Sequence, residues 1–117
     1  MTTTFNPQLD DAALVVLCNV PTQEQALEIA RELLELRLAA CVNILPGLIS
    51  VYRWEQTLQQ EHEVQLQIKT CRSRYALLEQ CLLAKHSYEL PEIIALPIES
   101  GLPAYLNWLT AETRPLE

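Results

Sequence analysis

One stretch of the chain gathers most of the side chains that could do chemistry. In Trp54–Lys69, WEQTLQQEHEVQLQIK, the acids Glu61 and Glu63 flank His62 just before a segment that alternates between apolar and polar residues. Carboxylate and imidazole groups bind divalent metals, and a pair of carboxylates can share a proton. The stretch could therefore be a metal cluster, a catalytic site or the rim of an interface.

Further metal donors are spread along the chain without a recognised ligand spacing. The soft and borderline donors are Cys18, Cys41, His62 and His86. The 4 cysteines form no C-x-x-C pair and no Cys/His pattern typical of structural zinc. We favour the interpretation that the cysteines are buried as small hydrophobic side chains. For His62 the favoured interpretation is a solvated residue of the strand or hairpin.

Cys41 is the candidate nucleophile. It would need a base and an orienting acid, which His86 and Glu92 could supply if the fold brought them together. The small apolar neighbours Ala40 and Val42 instead indicate tight packing around the thiol. We therefore expect no catalytic residue and no enzyme activity.

The alternating segment also sets which polar side chains share a face. Successive strand residues point to opposite sides, so Glu61, Glu63 and Lys69 point the same way. The two acids could act as a pair, or each could meet a cation of a neighbouring subunit, while a solvated polar face is the alternative. Trp54 and Tyr88 could wall a small-molecule pocket or anchor an interface, because an aromatic ring gives a large contact area.

The charge balance excludes two classes of partner. With 15 acidic residues, 8 basic ones and a net charge of -7, the chain offers no basic face for nucleic acid or for an anionic membrane. No apolar run is long enough to span a bilayer, and the N-terminal MTTTFNPQLDDA has no targeting pattern. We expect a soluble cytoplasmic protein.

The first half of the element pattern is a strand followed by a helix. AALVVLCNV, which ends at Pro21, is typical of a strand buried on both faces. Thr22 and Gln25 can form a capping box, and the apolar periodicity that follows predicts an amphipathic helix to near Leu38. Such a helix would lie on a sheet.

The second half repeats the strand and helix. Ser73 is predicted to cap a helix to about Lys85, IIALPI predicts a short strand, and Pro103 starts a last helix. With two strands in the middle, the order is that of an α+β, ferredoxin-like βαββαβ fold with an added C-terminal helix. We expect a single domain over 1–117, with 1–11 as a flexible tail.

A long central hairpin is the unusual element. AACVNILPGLISVYRWE and EVQLQIKT predict arms of about 15 residues that turn near 56–60, whereas a typical strand has about 5 or 6 residues. Pro46 and Gly47 predict a bulge or bend in the first arm. Arms of this length overhang the domain and expose edges and apolar side chains, so we expect oligomerisation through them.

The sequence resembles the CutA divalent-cation tolerance family nearly from end to end. The resemblance is carried by LVVLCNVP, LAACVNILPG, VYRWE, EHEVQLQIKT, HSYELPEIIALPI and YLNWL. It implies a ferredoxin-like protomer, a homotrimer whose long hairpins pair between subunits, and a role in tolerance of divalent metals, copper above all, through binding without catalysis.

The resemblance also implies copper ligands at Cys18, which ends the first strand, and at His86. His86 matches the second histidine of a pair in bacterial members, Lys85 stands where the first histidine would be, and Gln56 stands where the family often has a hairpin glycine. The loss of one ligand of three lowers the expected copper affinity. Copper or another divalent cation would therefore bind without being held tightly.

An intersubunit cleft is the last implication of the resemblance. Its residues here would be Cys41, Trp54, Glu61, Glu63, Lys69, Tyr88 and Glu92. The cleft is similar to the ligand sites of nitrogen-regulatory PII proteins, which are trimers of the same general fold. A sensor of a small anion or metabolite is therefore the alternative function.

Overall fold

The computed structural model describes residues 11–116. Its elements are β1 (Ala13–Val20), α1 (Gln23–Glu35), β2 (Cys41–Trp54), β3 (Thr57–Cys71), a 3-10 turn (Arg72–Arg74), α2 (Tyr75–Lys85), β4 (Ile93–Pro97) and α3 (Pro103–Glu112). The predicted flexible tail lies outside the described residues except for Asp11, whose carboxylate accepts hydrogen bonds from the N–H and hydroxyl groups of Ser73.

The four strands form one antiparallel sheet in the order β2-β3-β1-β4. This order, with helices after β1 and β3, confirms the predicted ferredoxin-like fold, and α3 is the predicted addition. The long strand β2 lies at one edge of the sheet, so one side of its backbone has no neighbouring strand in the protomer.

One face of the sheet, called the closed face, is covered by α1 and α2. Its core consists of residues at 0 to 1 % exposure, namely Val16, Cys18, Val20, Ala26, Ile29, Leu33, Leu66, Ile68, Leu78 and Leu82. Full burial of one such aliphatic side chain stabilises the fold by about 1.5–3 kcal/mol. The opposite face, called the open face, has no helix over its middle, so β1 residues such as Leu17 stay half-buried there. The prediction that β1 is buried on both faces therefore fails in the protomer.

The ends of α1 follow from local chemistry. The Thr22 hydroxyl oxygen accepts a hydrogen bond from the Gln25 N–H at 3.1 Å, which confirms the predicted N-cap. The helix ends at Glu35 rather than near Leu38, because Arg37 adopts a left-handed φ of 57°. The Arg37 guanidinium in turn donates to carbonyl oxygens at the end of α3, which fixes that helix beside α1.

The predicted cap of α2 is wrong. The residue before α2 is Arg74, which makes no side-chain cap hydrogen bond, and the chain enters the helix through the 3-10 turn. Ser73 uses its hydroxyl and N–H groups to bind Asp11 instead. The side chain that could have capped the helix is thus held by a residue that lies 62 positions earlier.

The predicted long hairpin is confirmed, with 14 residues in β2 and 15 in β3. The strand register shifts between Leu45 and Leu48, where Gly47 has a φ of 80°, so the predicted bulge is confirmed as well. The hairpin makes the chain elongated, with extents of 57 × 25 × 24 Å. No helix of the described residues is long and apolar enough to cross a membrane.

The turn lies earlier than 56–60. Trp54 pairs with Thr57, which leaves Glu55 and Gln56 as a two-residue turn with φ values of 49° and 68°. Positive φ at both positions is the geometry of the type I′ hairpin turn, whose twist matches that of the strands. Gln56 adopts this left-handed conformation although its side chain disfavours it, whereas glycine would adopt it without a steric cost.

Candidate functional site

A groove of about 650 Å³ lies on the open face, toward the hairpin tip. It is lined by Asn19 of β1, by Ser50, Val51, Tyr52 and Trp54 of β2, by Glu61 and Glu63 of β3, and by Ser87, Tyr88, Glu89, Leu90 and Glu92 of the loop between α2 and β4. The hairpin register places Ser50 opposite Glu61, so the strand alternation itself aims these side chains into the groove.

The groove is strongly acidic. Four carboxylates line it, and its described lining contains no lysine, arginine or histidine. Burial, followed by the charges of Glu61 and Glu63, raises the pKa of the Tyr52 phenol. Burial, its hydrogen bond to Glu63 and the charges of both acids likewise raise the pKa of Tyr88. The groove therefore attracts cations and repels anions, which argues against the small-anion sensor.

Glu63 is the buried acid of the groove, with 8 % exposure. Its Oε1 accepts a hydrogen bond from Asn19 Nδ2 at 3.5 Å, and it also accepts one from the Tyr88 hydroxyl. Asn19 is oriented by Gln65, whose Nε2 donates to Asn19 Oδ1 at 3.2 Å. Neutral donors thus hold the carboxylate, and neither of the two ion pairs within residues 11–116 includes it.

The structure places Cys18 on the closed face, fully buried. Burial, followed by the charges of Glu92 and Glu63, raises the pKa of its thiol to about 12. Metals bind the thiolate, so a thiol kept protonated at neutral pH and turned into the core is a poor ligand.

His86 has both ring nitrogens engaged. Its Nε2 lies 2.6 Å from the Asn19 carbonyl oxygen, and its Nδ1 accepts the Tyr88 N–H at 3.0 Å. These partners assign the neutral tautomer with the proton on Nε2, so no lone pair is left for a metal. Lys85 is turned toward α1, where its Nζ lies 2.9 Å from Glu32 Oε2. The protomer therefore does not fit the copper site implied for Cys18 and His86.

No other metal centre replaces it within the described residues, where no group of three or more histidine, cysteine or acidic side chains is arranged to hold an ion. His62 pairs with Ile49 in the hairpin and is exposed, as the solvated interpretation predicts. No three of the groove carboxylates are arranged to hold one ion.

Two predicted cleft residues lie away from the groove. Cys41 and Lys69 are opposite each other where β2 begins, and Lys69 donates to Asn43 Oδ1. The Cys41 thiol contacts the hydroxyl of Tyr105 on α3. The protomer thus brings together Trp54, Glu61, Glu63, Tyr88 and Glu92 but not Cys41 and Lys69, and a cleft that joins both sets between subunits stays a prediction.

The same separation bears on the nucleophile hypothesis. His86 binds Asn19, which pairs with Gln65, whereas Cys41 pairs with Lys69. Four residues of extended strand span about 13 Å, which is far beyond the hydrogen-bond reach that a nucleophile and its base require. Cys41 and His86 of one protomer form no catalytic pair.

Sequence reasoning missed Asn19, Tyr52 and Glu89 as groove residues. Asn19 is polar at the end of an otherwise apolar strand, and that contrast was the available signal. Tyr52 and Glu89 stand in VYRWE and HSYELPEIIALPI, which carry the resemblance to the family, but neither residue type by itself indicates a groove. Their role depends on how the hairpin and the loop after α2 approach each other.

Comparison with known proteins decides the family. The model of the family described as CutA1 divalent ion tolerance protein matches residues 14–112. The chain belongs to this family. It is 44% identical over 102 residues to the divalent-cation tolerance protein CutA of Citrobacter koseri, which covers 87% of this chain and 89% of that protein. CutA of Escherichia coli is 43% identical over 103 residues, with 88% and 92% covered.

Solved structures agree with this assignment. The divalent cation tolerance protein of Thermus thermophilus superimposes with a TM-score of 0.85 at 46% identity and covers 87% of this chain and 99% of its own. CutA1 of Oryza sativa gives 0.85 at 44% identity, with 88% and 94% covered. The resemblance to the CutA family and the ferredoxin-like fold are both confirmed.

Proposed function

We propose that this CutA-family chain serves in tolerance of divalent cations, as a homotrimer that binds cations weakly and catalyses no reaction. The observation that carries the proposal is the groove, in which four carboxylates meet no basic side chain of the described residues. A cleft lined by one sign of charge concentrates ions of the opposite sign. The description of the family as divalent ion tolerance proteins supports a role that involves cations.

The carboxylates of the groove, rather than Cys18 and His86, are the proposed contacts of the cation. Carboxylate oxygens accept divalent ions without deprotonation at neutral pH. Glu61, Glu89 and Glu92 are less buried than Glu63 and can turn toward an ion. Because they do not converge on one point, the proposed affinity is low, and copper and zinc would both bind.

Exposed apolar surface supports assembly of identical chains. Ile94 and Leu96 on the open face are 48% and 50% exposed, and Val51 and Leu58 on the hairpin reach 67% and 69%. The edge strand β2 adds a row of unpaired backbone groups. A second and third copy would cover these surfaces, with the hairpins reaching across the subunit boundaries.

Sedimentation equilibrium tests the assembly. At micromolar chain concentration the protein should sediment with the mass of three chains. Two lysines introduced on the exposed apolar hairpin, Val51→Lys with Leu58→Lys, should shift it toward monomer. A monomeric wild-type protein would contradict the homotrimer.

Titration calorimetry with copper(II) and with zinc(II) tests the site. The variant Glu61→Gln with Glu92→Gln should lose most of the binding heat, because the charge that attracts the ion is removed without change of shape. The matched variant Cys18→Ala with His86→Ala should retain it. If the Cys18→Ala, His86→Ala variant alone lost the binding heat, the metal site would be at Cys18 and His86. If neither variant lost binding heat, the metal would bind neither at the groove carboxylates nor at Cys18 and His86.

A further inference from the structure

The C-terminal helix α3 is attached to the sheet by a small apolar contact. It covers the end of the open face where Ala13 of β1 pairs with Cys71 of β3. Its buried residues are Leu109 and Thr110, and Leu109 packs with Cys71 and Ala40 in a cluster that is separate from the main core. The helices α1 and α2 bury larger apolar faces in that core, which include Ile29, Leu33, Leu78 and Leu82. Apolar burial therefore retains α3 less strongly than it retains α1 and α2.

Arg37 supplies the polar part of the attachment of α3. Its Nε donates to the Arg114 carbonyl oxygen at 2.6 Å, and its Nη2 donates to the Ala111 carbonyl oxygen at 2.8 Å. Its Nη1 also lies 3.8 Å from Glu112 Oε2. Carbonyl groups at the end of a helix lack partners within the helix, and a cation there opposes the helix dipole. One side chain from the connection between α1 and β2 thus holds the end of α3.

The backbone of Arg37 belongs to the main body of the fold rather than to α3. It has a left-handed φ of 57°, and its carbonyl oxygen accepts a hydrogen bond from Arg74 Nε at 3.3 Å. Arg74 Nη2 donates to the neighbouring Leu36 carbonyl oxygen at 3.4 Å. Arg37 is therefore fixed from behind by the 3-10 turn before α2, and it stays in place when α3 moves away.

Two buried thiols lie under different helices. Cys71 is at 0% exposure, and its sulfur lies 3.8 Å from the Thr110 hydroxyl oxygen of α3 and 3.4 Å from that of Thr113, which follows the helix. Cys18 is also at 0% exposure but lies in the main core under α1 and α2. A folded protein opens locally in units, and the units that bury the least apolar surface open most readily. Access to Cys71 therefore reports release of α3, and access to Cys18 reports opening of the main core.

We propose that α3 is a cover that opens as a unit when its contact with Arg37 is released. The opening exposes the Cys71 thiol to small reagents while the sheet, α1 and α2 stay folded. Arg37 and α3 together thus control when this thiol can react. The inference goes beyond the proposed role in divalent-cation tolerance and does not rest on it.

The test measures alkylation by iodoacetamide at neutral pH without denaturant, over hours rather than minutes. Mass spectrometry of peptides distinguishes Cys71 from Cys18. In the wild-type protein Cys71 should react faster than Cys18 by about tenfold or more, although both react far more slowly than an exposed thiol. The rate at Cys71 should not depend on chain concentration, because the opening involves one chain. Amide hydrogens of α3 should likewise exchange faster than those of α1.

Substitutions at Arg37 test its contact with α3. Arg37→Gln should raise the Cys71 rate by about tenfold or more and leave the Cys18 rate unchanged, because a neutral amide cannot give two charge-assisted hydrogen bonds. Arg37→Gly removes the same contact but suits the left-handed backbone, so it should raise the Cys71 rate without loosening α1. The matched control is Arg31→Gln, which removes the charge of an exposed arginine of α1 and should leave both rates as in the wild type.

The wild-type protein alone can overturn the proposal. Equal rates at Cys71 and Cys18, or exchange in α3 as slow as in α1, would show that α3 opens only when the whole chain unfolds. A Cys71 rate that decreases as chain concentration rises would show that exposure requires dissociation of copies. Among the variants, an unchanged Cys71 rate in Arg37→Gln and Arg37→Gly would contradict the role of Arg37. Equal acceleration of Cys71 and Cys18, or the same acceleration of Cys71 in Arg31→Gln, would contradict it as well.

Discussion

Neighbouring residues of β3 differ in burial because their side chains point to opposite faces of the sheet. On the closed face Leu66 and Ile68 are fully buried under the helices, whereas Gln65 and Gln67, one position along, remain half-buried on the open face. Gln67 donates to Gln65, which donates to Asn19 and so toward Glu63. The closed face excludes water to stabilise the fold, and the open face keeps polar groups and a groove for contacts with other molecules.

The largest effect that tests this contrast is expected from Leu66→Ala. Leu66 is at 0% exposure in the core, so its truncation should cost about 2–5 kcal/mol of the free energy of unfolding. Gln67→Ala, one residue along on the open face, should cost well under half as much. Guanidinium chloride unfolding at one fixed chain concentration measures both, and equal losses would show that the open face is as important to stability as the core.

Alkaline pH should reveal the cost of ionising a thiol that is buried on the closed face. Burial, Glu92 and Glu63 raise the pKa of Cys18 from 9.0 to about 12, so the folded protein keeps a proton that the unfolded chain releases. The stability from this thiol is complete below pH 9.0 and is lost as pH rises toward about 12, by at most about 1.4 kcal/mol per pH unit. The free energy of unfolding of Cys18→Ala should therefore decrease less between pH 9.0 and about 12 than that of the wild-type protein.

Alkylation provides the control for this interpretation. In the native protein at neutral pH, Cys18 and Cys71 should resist iodoacetamide, since both are at 0% exposure, while the half-buried Cys41 and Cys81 react. Mass spectrometry of peptides distinguishes the four thiols. Rapid modification of Cys18 would show that the closed face opens readily and that its thiol is not held protonated by burial.

The smallest effect is expected at the hairpin tip, where the two faces meet solvent. Gln56 has a φ of 68°, and a side chain in the left-handed region costs about 1 kcal/mol that glycine avoids. Gln56→Gly should therefore raise the melting temperature slightly. Gln59→Gly, in the regular part of β3, should lower it by a similar amount because glycine weakens a strand. A destabilised Gln56→Gly protein would contradict the turn geometry.

Much of the fold could be read from local patterns. The alternation in EVQLQIKT and the apolar arc of α1 report which side of each element faces the core, because side-chain direction repeats every two residues in a strand and every 3.6 in a helix. Pro46 and Gly47 marked the bulge for the same local reason. The sequence predicts the turn too late in the chain because Glu55 and Gln56 are neither asparagine nor glycine, the residues that usually signal a two-residue hairpin turn.

The sequence by itself determined the order of the elements, the length of the hairpin, the acidic balance and, through its motifs, the CutA family. Only the tertiary structure decided the partners of the polar side chains, because these come from distant parts of the chain. Asn19 and Glu63 meet although 44 positions separate them, and His86 uses both ring nitrogens in hydrogen bonds with the backbone. Lys69, an expected cleft residue, lies six residues along β3 from Glu63, the nearest β3 residue of the groove. Hydrogen bonds of this kind depend on strand register and loop closure. The hydrophobic periodicity of a single strand or helix does not specify either of them.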